Sequence, residues 1–240
     1  MKKAIFIALG ICYSLTAAAQ GEVNFIEASN TKDKETRSIS SFTKLDVSGC
    51  FEVQLVKEDG NALTLAGADN ILPLIITESH GDTLSIHLKD GLQIKPSLHN
   101  KVIIRVPFAY INAISLYGAG SVTSKSTIST NIDLKLDGAG AIKLQLYSPK
   151  STINMVGAGT VLLKGYSEAI TCKLTGSGSI TAGELETDTA DVILMGSGTI
   201  KISSNKKIKG RINGSGSVAL GGNPDGQDLM RIGTGEFSAF

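Results

Sequence analysis

Tryptophan is absent from the 240 residues, and histidine and cysteine number only three each. A small fold held together by many disulfides is therefore excluded. His80, His87 and His99 all precede the repetitive part of the chain, and the sequence contains neither a His-Glu-x-x-His metal motif nor a Gly-x-Ser-x-Gly nucleophile turn. Sugar recognition on tryptophan platforms is excluded as well, which leaves Tyr110, Tyr117, Tyr147 and Tyr166 as the tyrosines outside the amino-terminal leader. Charged residues make up only 19% of the chain, whereas 42% is hydrophobic and 27 residues are glycine. That balance fits a packed core and not a disordered chain.

The apolar stretch "AIFIALGICYSL" is too short to span a bilayer well, and no stop-transfer pattern follows it. It is preceded by "MKK" and followed by the small residues of "TAAAQ", the pattern of a signal peptide over residues 1–19 with cleavage after Ala19. Cys12 belongs to this leader, since Ile11 stands where a lipidation motif needs a small side chain. Without Lys2 and Lys3 the balance of 23 basic and 22 acidic residues becomes a net charge of −1. Such a chain is not a general nucleic-acid binder. Residues 20–38 read as a linker and 39–240 as a single domain, with regular coils from about residue 110.

The phrase Gly-x-Gly recurs at Gly118/Gly120, Gly138/Gly140, Gly157/Gly159, Gly176/Gly178, Gly196/Gly198 and Gly214/Gly216, and again at Gly233/Gly235. The steps of 18 to 20 residues ask for a solenoid. Two residues after each second glycine stand Val122, Ile142, Val161, Ile180, Ile200, Val218 and Phe237. Two before each first glycine stand Leu116, Leu136, Met155, Leu174, Leu194, Ile212 and finally Arg231. These columns alternate with mostly polar ones, and a period of two means strands buried on one face. The fold expected is all-β: a right-handed parallel β-helix with coils of about 19 residues and a less regular, strand-rich amino-terminal part. The glycines are structural, because a bend repeated in every coil needs a residue that allows positive φ and close backbone approach. No helix-opening Gly-x-Gly-x-x-Gly and no following Lys-Ser/Thr points to a phosphate-binding loop.

Cys172 falls in an inward column beside Ile153 and Val192. Cys50, in "DVSGCFEVQL", aligns with Ala139 and points away from the core, so the two do not pair. "DNILPLIITES" at 69–79 has room for a short helical turn limited by Pro73. "GGNPDGQD" at 221–228 interrupts the final coil as an exposed loop. Tyr147 and Tyr166, 19 residues apart, stack on adjacent coils as either a small binding stripe or a packing feature.

The ordered series "FTKLDVSGCFEVQL", "LYGAG", "LDGAG", "LTGSG", "INGSG" and "GGNPDG" resembles the "putative auto-transporter adhesin, head GIN domain" family, found in exported proteins of Bacteroidetes. The resemblance covers most of the mature chain. It implies a β-solenoid with a preceding strand-rich part and a role in adhesion, and it supplies no catalytic set.

Taken together, these features point to an exported interaction protein of the periplasm, cell surface or medium, displaying a stiff polar surface. Surface glycans, matrix or host proteins are the candidate partners, self-association through a free sheet end is a further route, and no cofactor is called for. The alternative is a glycan-acting β-helix enzyme, a polysaccharide lyase or hydrolase. Its acids would have to gather on one coil face, and Asp133, Asp137, Glu168, Glu184, Glu186, Asp188 and Asp191 do not share columns with a nearby Arg or His. Asp225 and Asp228 are the pair that could hold a weakly bound calcium ion.

Overall fold

The period-two pattern is realised along nearly the whole chain. The computed structural model describes residues 24–95 and 101–240. The signal segment 1–19, residues 20–23 of the linker, and His99 lie outside the described residues. The amino-terminal part supplies β1 (Asn24–Ile26), β2 (Lys32–Ser38), β3 (Lys44–Ser48), β4 (Glu52–Lys57), β5 (Ala62–Ala68), β6 (Ile75–His80), β7 (Thr83–Leu88), β8 (Leu92–Ile94) and β9 (Ile103–Phe108). The repeats supply β10 (Ala113–Gly118), β11 (Ser121–Ile128), β12 (Ile132–Gly138), β13 (Ala141–Gly157), β14 (Thr160–Gly176), β15 (Ser179–Gly196), β16 (Thr199–Ser203), β17 (Lys207–Gly214), β18 (Ser217–Gly221), β19 (Gly226–Ile232) and β20 (Glu236–Ala239).

The repeats form a right-handed parallel β-solenoid. One side of the stack runs β10, β12, β13, β14, β15, β17, β19, and every neighbouring pair is parallel. Gly118, Gly138, Gly157, Gly176, Gly196 and Gly214 pair in unbroken register along it. Adjacent coils are therefore about 4.8 Å apart, the ordinary strand spacing. The column from Leu116 to Ile212 is at most 2% exposed, and the column from Val122 to Val218 is fully buried. Burial of each such side chain is worth about 1.5–3 kcal/mol, so the core gains a similar increment with every coil.

The two glycines of a bend have separate reasons, where the sequence suggested one reason for both. Positive φ is confined to the first of each pair, from Gly118 to Gly214. Gly138 has φ of 125°, and a Cβ there would lie 2.5 Å from the Gly118 carbonyl oxygen. The expectation of positive φ is corrected at the second glycine. Gly120, Gly140, Gly159, Gly178, Gly198 and Gly216 do not adopt it. They face inward and are buried, and what excludes a side chain there is close approach alone. At Gly140 a Cβ would meet Gly120 O at 2.7 Å and Leu116 Cδ2 at 2.9 Å. Each later coil repeats the clash with the second glycine below it. Gly159 would press on Gly140 O at 2.5 Å, Gly178 on Gly159 O at 2.7 Å and Gly198 on Gly178 O at 2.6 Å, while Gly216 would strike Gly198 O and, at 2.7 Å, Leu194 Cδ2. From Gly138 and Gly140 onward neither position of the bend admits a side chain, whereas the coil before Gly118 carries the buried Phe51 at the second position.

A second bend lies opposite. In β13 the buried positions are Leu144, Leu146 and Ser148, and then Ser151, Ile153 and Met155, so the alternation slips by one at Pro149–Lys150. Here buried hydroxyls meet the backbone. Ser148 Oγ donates to Lys150 O at 2.7 Å, Ser167 Oγ to Ala169 O at 3.0 Å and Thr187 Oγ1 to Ser203 O at 2.6 Å. The bonds of Ser148 and Ser167, to carbonyls two residues on, are local ones of the kind that stabilises turns, whereas Thr187 reaches the next coil. Among the described residues no buried side-chain polar atom is left without a partner.

The amino-terminal part belongs to the same stack in an order that differs from the chain order. β3 pairs in parallel with both β10 and β7, and β4 with both β11 and β9. Residues 44–57 thus form a coil lying between the coil of β7 and β9 and that of β10 and β11. β5 and β6 then pair antiparallel with β9 and β7, and β2 antiparallel with β5. Reversing direction covers the parallel edges that would otherwise invite aggregation. A 3₁₀ turn, Leu72–Leu74, occupies the expected helical place. Arg37 holds it by donating to Leu72 O at 2.8 Å and to Ile75 O at 2.5 Å.

Cys50 and Cys172 are both free; Cys172 is buried and Cys50 exposed. The exposed loop expected at 221–228 is shorter than that span, because β19 begins at Gly226 and pairs with β17. No helix among the described residues is long and apolar enough to cross a membrane.

Candidate functional site

The second bend also sets the outward face beside it. Tyr147 and Tyr166 each stand one residue before a buried hydroxyl, Ser148 and Ser167. With those serines turned inward, strand alternation sends both rings outward. The two tyrosines pair in register on β13 and β14, and Tyr166 pairs with Glu186 on β15. Their ring centroids are 5.6 Å apart with planes tilted by 38°. Tyr147 keeps 63% of its surface exposed.

A second row runs beside the first, two residues earlier on each strand: Gln145, Lys164 and Glu184. Lys164 Nζ is 2.8 Å from Glu184 Oε2. Past the tyrosines, Lys206 Nζ lies 2.7 Å from Asp188 Oδ2. Partial desolvation first, then the negative charges of Asp188 and Glu168, push the Tyr166 phenol above its usual pKa. It therefore remains a neutral hydroxyl donor at physiological pH. Amide, ammonium, carboxylate and phenol groups form a grid with about 4.8 Å between coils and roughly 6.6 Å along each strand. A grid of that kind can stack on an apolar ring face while hydrogen-bonding its edges.

Among the described residues, the acids named from the sequence are not gathered into an acid–base pair with histidine. Asp188 and Glu184 are engaged by lysines, and His80 pairs with Glu78 at 2.9 Å, far along the chain in β6. Asp228, the possible calcium ligand, is instead held by Arg211 at 2.8 Å, which keeps its carboxyl below the usual range. Among the described residues no group of three or more His, Cys, Asp or Glu could hold a metal ion. The buried hydroxyls of the second bend were missed by sequence reasoning. Ser148, Ser167, Thr187 and Ser204 recur at steps of 19, 20 and 17 residues, a signal blurred by unequal coil lengths.

A family model described as "Putative auto-transporter adhesin, head GIN domain" matches residues 41–224. Among solved structures, the chain is similar to a "putative adhesin" from Bacteroides fragilis NCTC 9343, with a TM-score of 0.84 and 24% identity over 90% of this chain and 100% of that one. It is also similar to a "Putative lipid binding protein" from Parabacteroides distasonis ATCC 8503, with a TM-score of 0.75 and 19% identity over 90% and 100% of the two chains. A "putative adhesin" from Parabacteroides merdae ATCC 43184 follows at a TM-score of 0.67 and 16% identity, over 90% and 99%. At these identities the likeness is one of fold. No curated protein matches the sequence.

Proposed function

Because the chain belongs to the auto-transporter adhesin, head GIN domain family, we propose that it is an exported interaction protein of the surface or periplasm, binding glycan through the Tyr147–Tyr166 stripe. The observation that carries this reading is the outward tyrosine pair, Tyr147 exposed and Tyr166 half-buried, held in register on adjacent coils. A solenoid has few internal degrees of freedom across its ladder, so the rings are presented at fixed spacing. Little conformational entropy is then lost on binding, and preorganisation of this kind raises affinity. The flanking Gln145, Lys164, Glu184 and Glu186 offer both donors and acceptors to sugar hydroxyls. Adhesion by display needs no acid–base pair, in keeping with Glu184 and Asp188 being engaged by lysines.

The test is affinity electrophoresis of the mature protein in gels containing bacterial or host polysaccharides, with reducing-end release measured in parallel. Retarded migration on at least one polysaccharide without new reducing ends is the expected result. Release of new reducing ends or unsaturated products would establish the glycan-acting enzyme instead.

A further inference from the structure

A groove of about 710 Å³ lies away from the tyrosine stripe, on the outer face of the amino-terminal coils. Its floor is a row of three residues in register on β7, β3 and β10: His87, Ser48 and Tyr117. Its wall is the chain that leaves β7, turns at Gly91 and continues as β8. This wall is a built feature. β8 pairs in parallel with β1, and Leu88, Ile94 and Ile26 pack against the core. Asn24 N donates to Gly91 O at 3.1 Å, and Lys95 lies 3.8 Å from Glu27. β1 and β8 form a separate two-stranded sheet, and neither joins the solenoid ladder. What they add is a wall over an otherwise open strand face.

The lining decides the class of ligand. Ser48, Ser85 and Tyr117 offer hydroxyl donors and acceptors, His87 adds its imidazole, and Leu88, Leu92 and Ile94 give an apolar side. The lining carries Asp46 and Asp90 against Lys89, with Lys135 beside Tyr117, so the groove has no positive excess to hold a phosphate or sulfate. The hydrogen bond of His87 Nδ1 to Leu88 O at 2.8 Å fixes the proton there in the neutral ring and leaves Nε2 as an acceptor. Lys135 Nζ donates to the Tyr117 hydroxyl at 3.3 Å, which frees the phenol proton for another partner. A long acyl chain would leave this polar floor unpaired at a cost. The volume is within the usual range of small-molecule sites, about 300–1,000 Å³. We propose that the groove binds a neutral saccharide unit, its hydroxyls on Ser48, His87 and Tyr117 and its apolar ring face on Leu92 and Ile94. This site is separate from the tyrosine stripe and does not rest on that reading.

Cys50 is exposed and lines the groove, whereas Cys172 is buried, so the native thiol reports on occupancy. The rate of N-ethylmaleimide addition to Cys50 is to be measured with N-acetylglucosamine, methyl galactoside, methyl mannoside, glucuronate and dodecanoate. At least one neutral sugar should slow it about tenfold at ten times its Kd, following simple occupancy. The Tyr147→Ala/Tyr166→Ala variant should retain this protection, and His87→Ala should weaken it with the thermal midpoint kept. The inference is overturned if no neutral sugar protects Cys50, if dodecanoate or glucuronate protects better, or if saturation-transfer NMR finds sugar still bound after Cys50 is blocked. Protection lost only in the tyrosine variant would move the sugar to the stripe and equally overturn it.

Discussion

Gly138 presses its Cα side against the carbonyl of Gly118 on the preceding coil, so closely that a Cβ would sit 2.5 Å from that oxygen. The contact is backbone on backbone, and neither partner can rotate away. Gly138→Ala should therefore destabilise the protein by about 2–4 kcal/mol, through strained positive φ and displacement of the neighbouring coil. Gly226→Ala is the control, since an added Cβ there meets nothing within 4 Å. It should change stability by no more than about 0.5 kcal/mol. Urea unfolding midpoints of the two variants check the contrast.

At the opposite bend, Ser151 and Ser167 share a hydrogen bond of 2.9 Å, and both are fully buried. Ser167→Ala removes a partner from Ser151 and from Ala169 O. A buried polar group left unpaired costs about 1–3 kcal/mol. The double variant Ser151→Ala/Ser167→Ala should lose less than the sum of the single losses, with a coupling of about 1 kcal/mol. Denaturation of the four proteins in this cycle measures it.

Cys172 is fully buried, and burial pushes its thiol from 9.0 up to about 12. The unfolded chain releases this proton near pH 9, while the folded protein holds it until much higher pH. The contribution to stability is therefore complete below pH 9 and is lost as pH rises from 9 towards 12. Linkage puts the loss on the order of 4 kcal/mol. Cys172→Val, a side chain already used beside it at Val192, should flatten this part of the pH profile relative to wild type. Unfolding free energies at pH 7, 9.5 and 11 for both proteins test the difference.

Much of this architecture was legible in the sequence because a stack repeats its constraints. Gly138 and Gly157 meet the same carbonyl clash, so both must be glycine, and Tyr147 and Tyr166 become neighbours because coil length fixes register. The residue types alone did not separate the two glycines of a bend. A column of glycines looks the same whether φ or a neighbouring carbonyl forbids the side chain, and at Gly159 and Gly178 it is the carbonyl. The place of "DVSGCFEVQL" between two later segments was not legible. Phe51 and Val53 align with Gly120 and Val122, yet nothing local in the residues tells which coil lies on their other side. The hydroxyls at the second bend were hidden by coils of unequal length. The groove under β8 comes from a short insertion that lacks periodicity, and its lining converges from β3, β7, β8 and β10.

The paired rings of Tyr147 and Tyr166 are proposed as the contact through which this column holds a glycan. A glycan and matrix-protein array probed at equal loading with wild type and Tyr147→Ala/Tyr166→Ala tests it most directly. Polysaccharide signals of the wild type should fall by about tenfold or more in the double variant, with thermal midpoints alike and with sugar protection of Cys50 in the β8 groove kept. Equal signals from both proteins, or wild-type binding confined to protein spots, would contradict it.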